Sequence, residues 1–94
     1  MRVPEISRFF DLTIRMFAEP GGPHHVPHFH VIYQDFEAIF RVEPVAMIAG
    51  AMPVRQSRLV QAWATLHRAE LRANWARLCL GKSPSPIEPL RLHP

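Results

Sequence analysis

Two runs of alternating side chains, His28 to Tyr33 and Phe36 to Val42, are separated only by Gln34-Asp35. Side chains alternate across a strand, so each run presents one apolar face and one mixed face. A two-residue hairpin pairs Tyr33 with Phe36, Val31 with Ala38 and Phe29 with Phe40, an apolar ladder on one face. The other face then pairs Ile32 with Glu37, His30 with Ile39 and His28 with Arg41. A slip of one residue would turn the apolar set outward, so the register is strongly specified. Gln34-Asp35 lacks the glycine that a primed turn prefers, which leaves a wider loop as the alternative.

The hairpin predicts a sheet, and the flanking sequence extends it. Asp11 to Ala18 alternates, with Leu12, Ile14, Met16 and Ala18 on one side and Thr13, Arg15 and Phe17 on the other. This reads as a strand with one buried face. Glu19 to Pro27 is a loop in which Gly21-Gly22 allows the chain to reverse. Pro44 ends the third strand, and Val45 to Ala49 is a candidate edge strand closed by Gly50.

Pro53 opens a helical pattern that runs to Leu80, with Gly81 as its stop. Val60, Trp63, His67, Leu71, Trp75 and Leu78 recur at steps of three and four and form the core-facing stripe. The span is long for a globular helix, and its length allows a kink near His67. Lys82 to Pro94 contains four prolines and cannot be helical, although Ile87 and Leu90 can pack back. The expected fold is α+β: an antiparallel sheet of three or four strands followed by one long C-terminal helix on one face. Residues 1–82 are expected to form the single domain and 83–94 a Pro-rich tail.

Ninety-four residues suffice for one domain and no more. Cys79 is the only cysteine, so no intrachain disulfide staples the fold, which fits a reducing cytosol. Arg2, Glu5, Arg8 and Asp11 interrupt any leader-like N-terminus, and no apolar run is long enough to span a bilayer. A cytoplasmic location is the expectation. Net charge is +3, and ten of the eleven basic residues are arginine. Arginine favours phosphate and carboxylate partners, but so small an excess is only a mild sign of an acidic partner such as RNA.

Four of the six histidines fall between positions 24 and 30. His28 and His30 share a strand face, and His24 and His25 adjoin on the loop. Imidazole is the side chain best suited to proton transfer or metal binding near neutral pH. His24, His25, His28 and His30 are therefore candidate ligands for a divalent metal such as zinc. Asp35 or Glu37 could add a carboxylate, since a catalytic zinc takes three protein ligands and keeps one position open. His28, His30 and Arg41, with Arg15, are candidates for acid–base chemistry on RNA, where a base, an acid and cations flank the phosphate. The alternative for these residues is a solvated loop and sheet face. His67, Trp63 and Trp75 read as structural. His67 is expected to bond a sheet backbone group or a carboxylate such as Glu70, and it nears the loop histidines only if the helix crosses the end of the second strand. Phe17, Ile32 and Ile39 on the uncovered sheet face, or a free edge strand, are the marks of a partner site.

Several segments together resemble a known family. They are Glu5-Ile6-Ser7-Arg8-Phe9-Phe10, Ile14-Arg15-Met16, Pro27-His28-Phe29-His30-Val31, Trp63 to Leu71 with Asn74-Trp75, and Ile87-Glu88-Pro89-Leu90. They resemble the widespread bacterial family DUF forty-one-sixty, a domain of unknown function. Val26-Pro27 stands where members commonly have two prolines, and Ile32 where they commonly have an acidic residue. The resemblance implies a small cytosolic protein whose gene neighbours another small gene, in pairs proposed as toxin–antitoxin modules. It implies no established activity. The resulting expectation is a protein-binding component of such a module, with the histidine segment as its working surface and with the neighbour's product or a second copy as partner. The alternative is an enzyme, an RNase or a metal-dependent hydrolase, centred on His28 and His30.

Overall fold

The computed structural model describes residues 4–18 and 26–91. Its elements are β1 (Glu5–Phe9), β2 (Leu12–Arg15), β3 (His28–Tyr33), β4 (Phe36–Arg41), β5 (Ala46–Gly50), α1 (Val54–Leu66) and α2 (Arg68–Cys79). The five strands form one antiparallel meander in the order β1-β2-β3-β4-β5. The central hairpin has the register expected from alternation, with Phe29 opposite Phe40, Val31 opposite Ala38 and Tyr33 opposite Phe36. Gln34 takes a positive φ of 52°, which lets a turn without glycine close on two residues.

The sheet has five strands, not three or four. The additional strand is β1, which pairs with β2 through Phe9 and Leu12. Phe10 and Asp11 make the turn with φ of 47° and 63°. Such a turn ordinarily announces itself by Asn-Gly or Asp-Gly. Phe-Asp gives no such sign, so β1 does not stand out as a strand of its own. At the other edge β5 is a full strand, with an extra residue, Ile48, where the register with β4 shifts.

One long helix is likewise replaced by two. The break is at His67, whose φ of −111° and ψ of 26° leave the helical region. A straight helix over the whole pattern would be about 40 Å long. A five-stranded sheet is only roughly 20 Å wide. The break allows α2 to turn instead of overrunning the sheet. Pro53 is the residue before α1, with an extended ψ of 147°. Gly81, at φ 76°, ends α2, and the Lys82 amide donates to the Arg77 carbonyl at 2.9 Å. This is the left-handed helix stop that glycine favours.

Phe9, Leu12, Ile14, Phe29, Val31 and Phe40 from the strands meet Val60, Trp63, Ala64 and Leu71 from the helices in one buried core. Ile87 of the C-terminal segment completes it at 4% exposure. The Ile87 amide donates to the Ile6 carbonyl at 2.7 Å, and the Trp63 indole N–H donates to the Glu88 carbonyl at 2.8 Å. Asn74 binds the Ser85 backbone twice, donating from Nδ2 to its carbonyl at 2.8 Å and accepting at Oδ1 from its amide at 2.7 Å. Among the described residues no helix is long and apolar enough to cross a membrane.

Candidate functional site

The extended backbone of β3 sends Phe29 and Val31 to one side and His28 and His30 to the other. A tryptophan from each helix meets the strand. Trp63 of α1 lies against Phe29, ring centroids 5.8 Å apart and nearly perpendicular. Trp75 of α2 lies against His28 at 5.0 Å. The break at His67 separates the two tryptophans, which meet neighbouring residues of the same strand.

The two histidines belong to a train of rings. Phe17 stacks on His30 with centroids 4.3 Å apart and planes within 19°. His30 lies 5.5 Å from His28, which in turn meets Trp75. Both rings project from the same side of the extended strand, and both are buried: His28 is 2% exposed and His30 9%. The Nδ1 of His28 donates to the Val26 carbonyl at 2.7 Å, which fixes that ring by its own approach segment. The Nδ1 of His30 is 4.0 Å from the Glu37 carboxylate on β4.

The cross-strand neighbours supply two cations. Arg15 is opposite His30, and Arg41 is opposite His28. Arg41 turns its Nε to the Pro44 carbonyl at 3.1 Å, tying down the loop into β5. The residue types for acid–base chemistry are thus gathered on neighbouring strands. A substrate phosphate, however, would have to reach rings that Phe17 and Trp75 cover.

His67 does not join this group. It lies 5.8 Å from Trp63, and its Nδ1 is 2.6 Å from the Glu70 carboxylate. It is Trp75, two turns further along, that reaches the strand histidines. His24 and His25 lie outside the described residues. Two imidazoles make only part of a zinc ligand set. Among the described residues, no group of three or more His, Cys, Asp or Glu could hold a metal ion.

Sequence reasoning missed two contributors. Phe17 reads as an exposed apolar residue and instead caps His30. Asn74 is 2% exposed and holds Ser85. Its one sequence signal is position: three residues after Leu71, it falls on the buried face of α2, where an amide needs a partner.

Neither curated proteins nor solved structures give a match to this chain. A family model described as Domain of unknown function (DUF4160) matches residues 12–76. That stretch takes in β2 to β5, all of α1 and α2 as far as Ala76, and so holds the whole ring train. The chain belongs to this family of domains of unknown function.

Proposed function

We propose that this protein is a protein-binding component, working in a two-gene module of the toxin–antitoxin type, with its binding done by apolar surface and not by the strand histidines. One contrast carries the reading. His28 and His30 are packed away, while Leu66 at the end of α1 and Leu80 just past α2 are 71% and 72% exposed. Phe10 and Val26 are also exposed, at the β1–β2 turn and ahead of β3. In so small a domain, large apolar side chains left in solvent while imidazoles are buried favour association over proton transfer. The ring train then supports the fold.

The test is co-expression with the product of the adjacent small gene. The two proteins are expected to co-purify, and Leu66→Glu with Leu80→Glu is expected to weaken the complex while leaving the fold intact. Failure of the wild-type pair to co-purify would overturn the module reading.

A further inference from the structure

The two edges of the sheet are finished differently. At β1 the outer side is occupied: the C-terminal segment lies along it, and Ile87 donates to the Ile6 carbonyl. β1 also carries Glu5 and Arg8, which form an ion pair at 2.6 Å. β5 has none of this. It is the last strand of the meander, paired with β4 on one side, and among the described residues no strand pairs with its other side. Its sequence is Ala46-Met47-Ile48-Ala49-Gly50, and no charged residue occurs from Pro44 through Val54. Natural sheets usually guard such an edge with lysine, proline or a covering segment. Among the described residues, β5 itself carries the irregularity at Ile48 as its guarding feature, with Pro44 and Pro53 flanking it.

We infer that β5 pairs with β5 of a second copy, antiparallel about a two-fold axis, to make a continuous ten-stranded sheet. This rests on the protein-binding reading and names one of its partners. Three observations select a second copy. First, the chain carries a net charge of +3, which works against association of two copies, but the segment around β5 is neutral and adds nothing to that repulsion. Second, the strand complements itself. Centred on Ile48, antiparallel pairing sets Ile48 against its own copy, Met47 beside Ala49 and Ala46 beside Gly50, so the seam is apolar throughout and each Met47 meets a small residue. Third, Phe36, Met47 and Val54 are 40%, 43% and 67% exposed, on or close to this edge. The Ala51 amide bonds the Glu37 carbonyl, which brings the end of β5 beside Phe36. Self-pairing shields this apolar margin in both copies at once, as a closed two-fold contact does. Five residues per strand make a small interface, so the dimer is a weak, concentration-dependent one.

Sedimentation of the full chain over a wide concentration range tests this. The expected result is reversible association from 10.8 kDa to twice that mass. Met47→Lys, at an exposed edge position, is expected to raise the dimer dissociation constant by about tenfold or more, since each copy then sets a charge beside Ala49 of the other in the apolar seam, diagonal to its like-charged equivalent. Ala69→Lys, an exposed position on α2, should leave it unchanged. Amide exchange of the wild type supplies a second measurement: residues 46–50 are expected to become protected as concentration rises. A monomer at every concentration, or a dimer insensitive to Met47→Lys with β5 exchange independent of concentration, overturns the inference. A monomer that still co-purifies with the adjacent gene's product sinks the self-pairing and leaves the protein-binding reading standing. A chain that neither self-associates nor co-purifies sinks both.

Discussion

The indole of Trp75 lies against the imidazole of His28, with ring centroids 5.0 Å apart, and this contact joins the second helix to the first residue of the central strand. Twelve residues earlier, Trp63 makes the equivalent contact with Phe29 on the other side of that strand. The Pro-His-Phe-His segment therefore reads as a structural clamp: His28 and Phe29 engage different helices.

The two tryptophans should differ in weight. Trp63 is fully buried, so Trp63→Ala is expected to cost about 3–5 kcal/mol. Trp75 is only partly buried, and Trp75→Ala should cost about half as much. Denaturant unfolding followed by far-UV circular dichroism measures both. Equal losses would contradict the clamp as drawn.

His28 is expected to behave as a packing residue. His28→Ala removes a ring that is 2% exposed, together with its bond to the Val26 carbonyl, and should destabilise by about 2–3 kcal/mol. Thermal unfolding reads the loss. An unchanged melting temperature would show that the ring contributes nothing to the fold and would reopen a catalytic role.

The Asn74 clamp on Ser85 has its own signature. Asn74→Ala removes both part-buried bonds to the Ser85 backbone, at a cost of about 1–3 kcal/mol. Hydrogen exchange is expected to accelerate at Ser85 and Ile87, while the β3–β4 hairpin keeps its protection. Uniform acceleration across the sheet would mean that the C-terminal segment does not open by itself.

Gly50 cannot be replaced without strain. Its φ is 82°, and a methyl group there would run into the Glu37 carbonyl oxygen and the Ala38 Cα. Both are backbone atoms of the neighbouring strand, so neither can step aside as a flexible side chain would. Gly50→Ala is expected to cost at least about 1–3 kcal/mol, the scale of a strained backbone position. Calorimetry checks this, and a neutral result would place the end of β5 elsewhere.

The hairpin of β3 and β4 was legible residue by residue, because one face had to be apolar and only one register achieves that. The stop at Gly81 and the return of Ile87 were legible for similarly local reasons. β1 was not, because its turn uses Phe10 and Asp11 in a backbone conformation usually left to glycine or asparagine. The helix break was legible only as a chance of a kink, since His67 continues the apolar spacing and no proline or glycine marks the spot. The candidate site shows the same limit. Alternation placed His28 and His30 on one side of a strand, but it could not say what lies on that side. Trp75 and Phe17 are distant in sequence, and each was assigned to a different surface. The burial of the histidines is a long-range fact, and a pattern of near neighbours does not contain it.

The bond from Ile87 to Ile6 joins residues near the two ends of the described chain. During synthesis the first strand leaves the ribosome long before the segment that seals it. A nascent chain therefore carries the β1 margin of its sheet open until the segment around Ile87 has emerged. The sealing of that margin is a late event, set by the arrival of residue 87 and not by the emergence of any one strand.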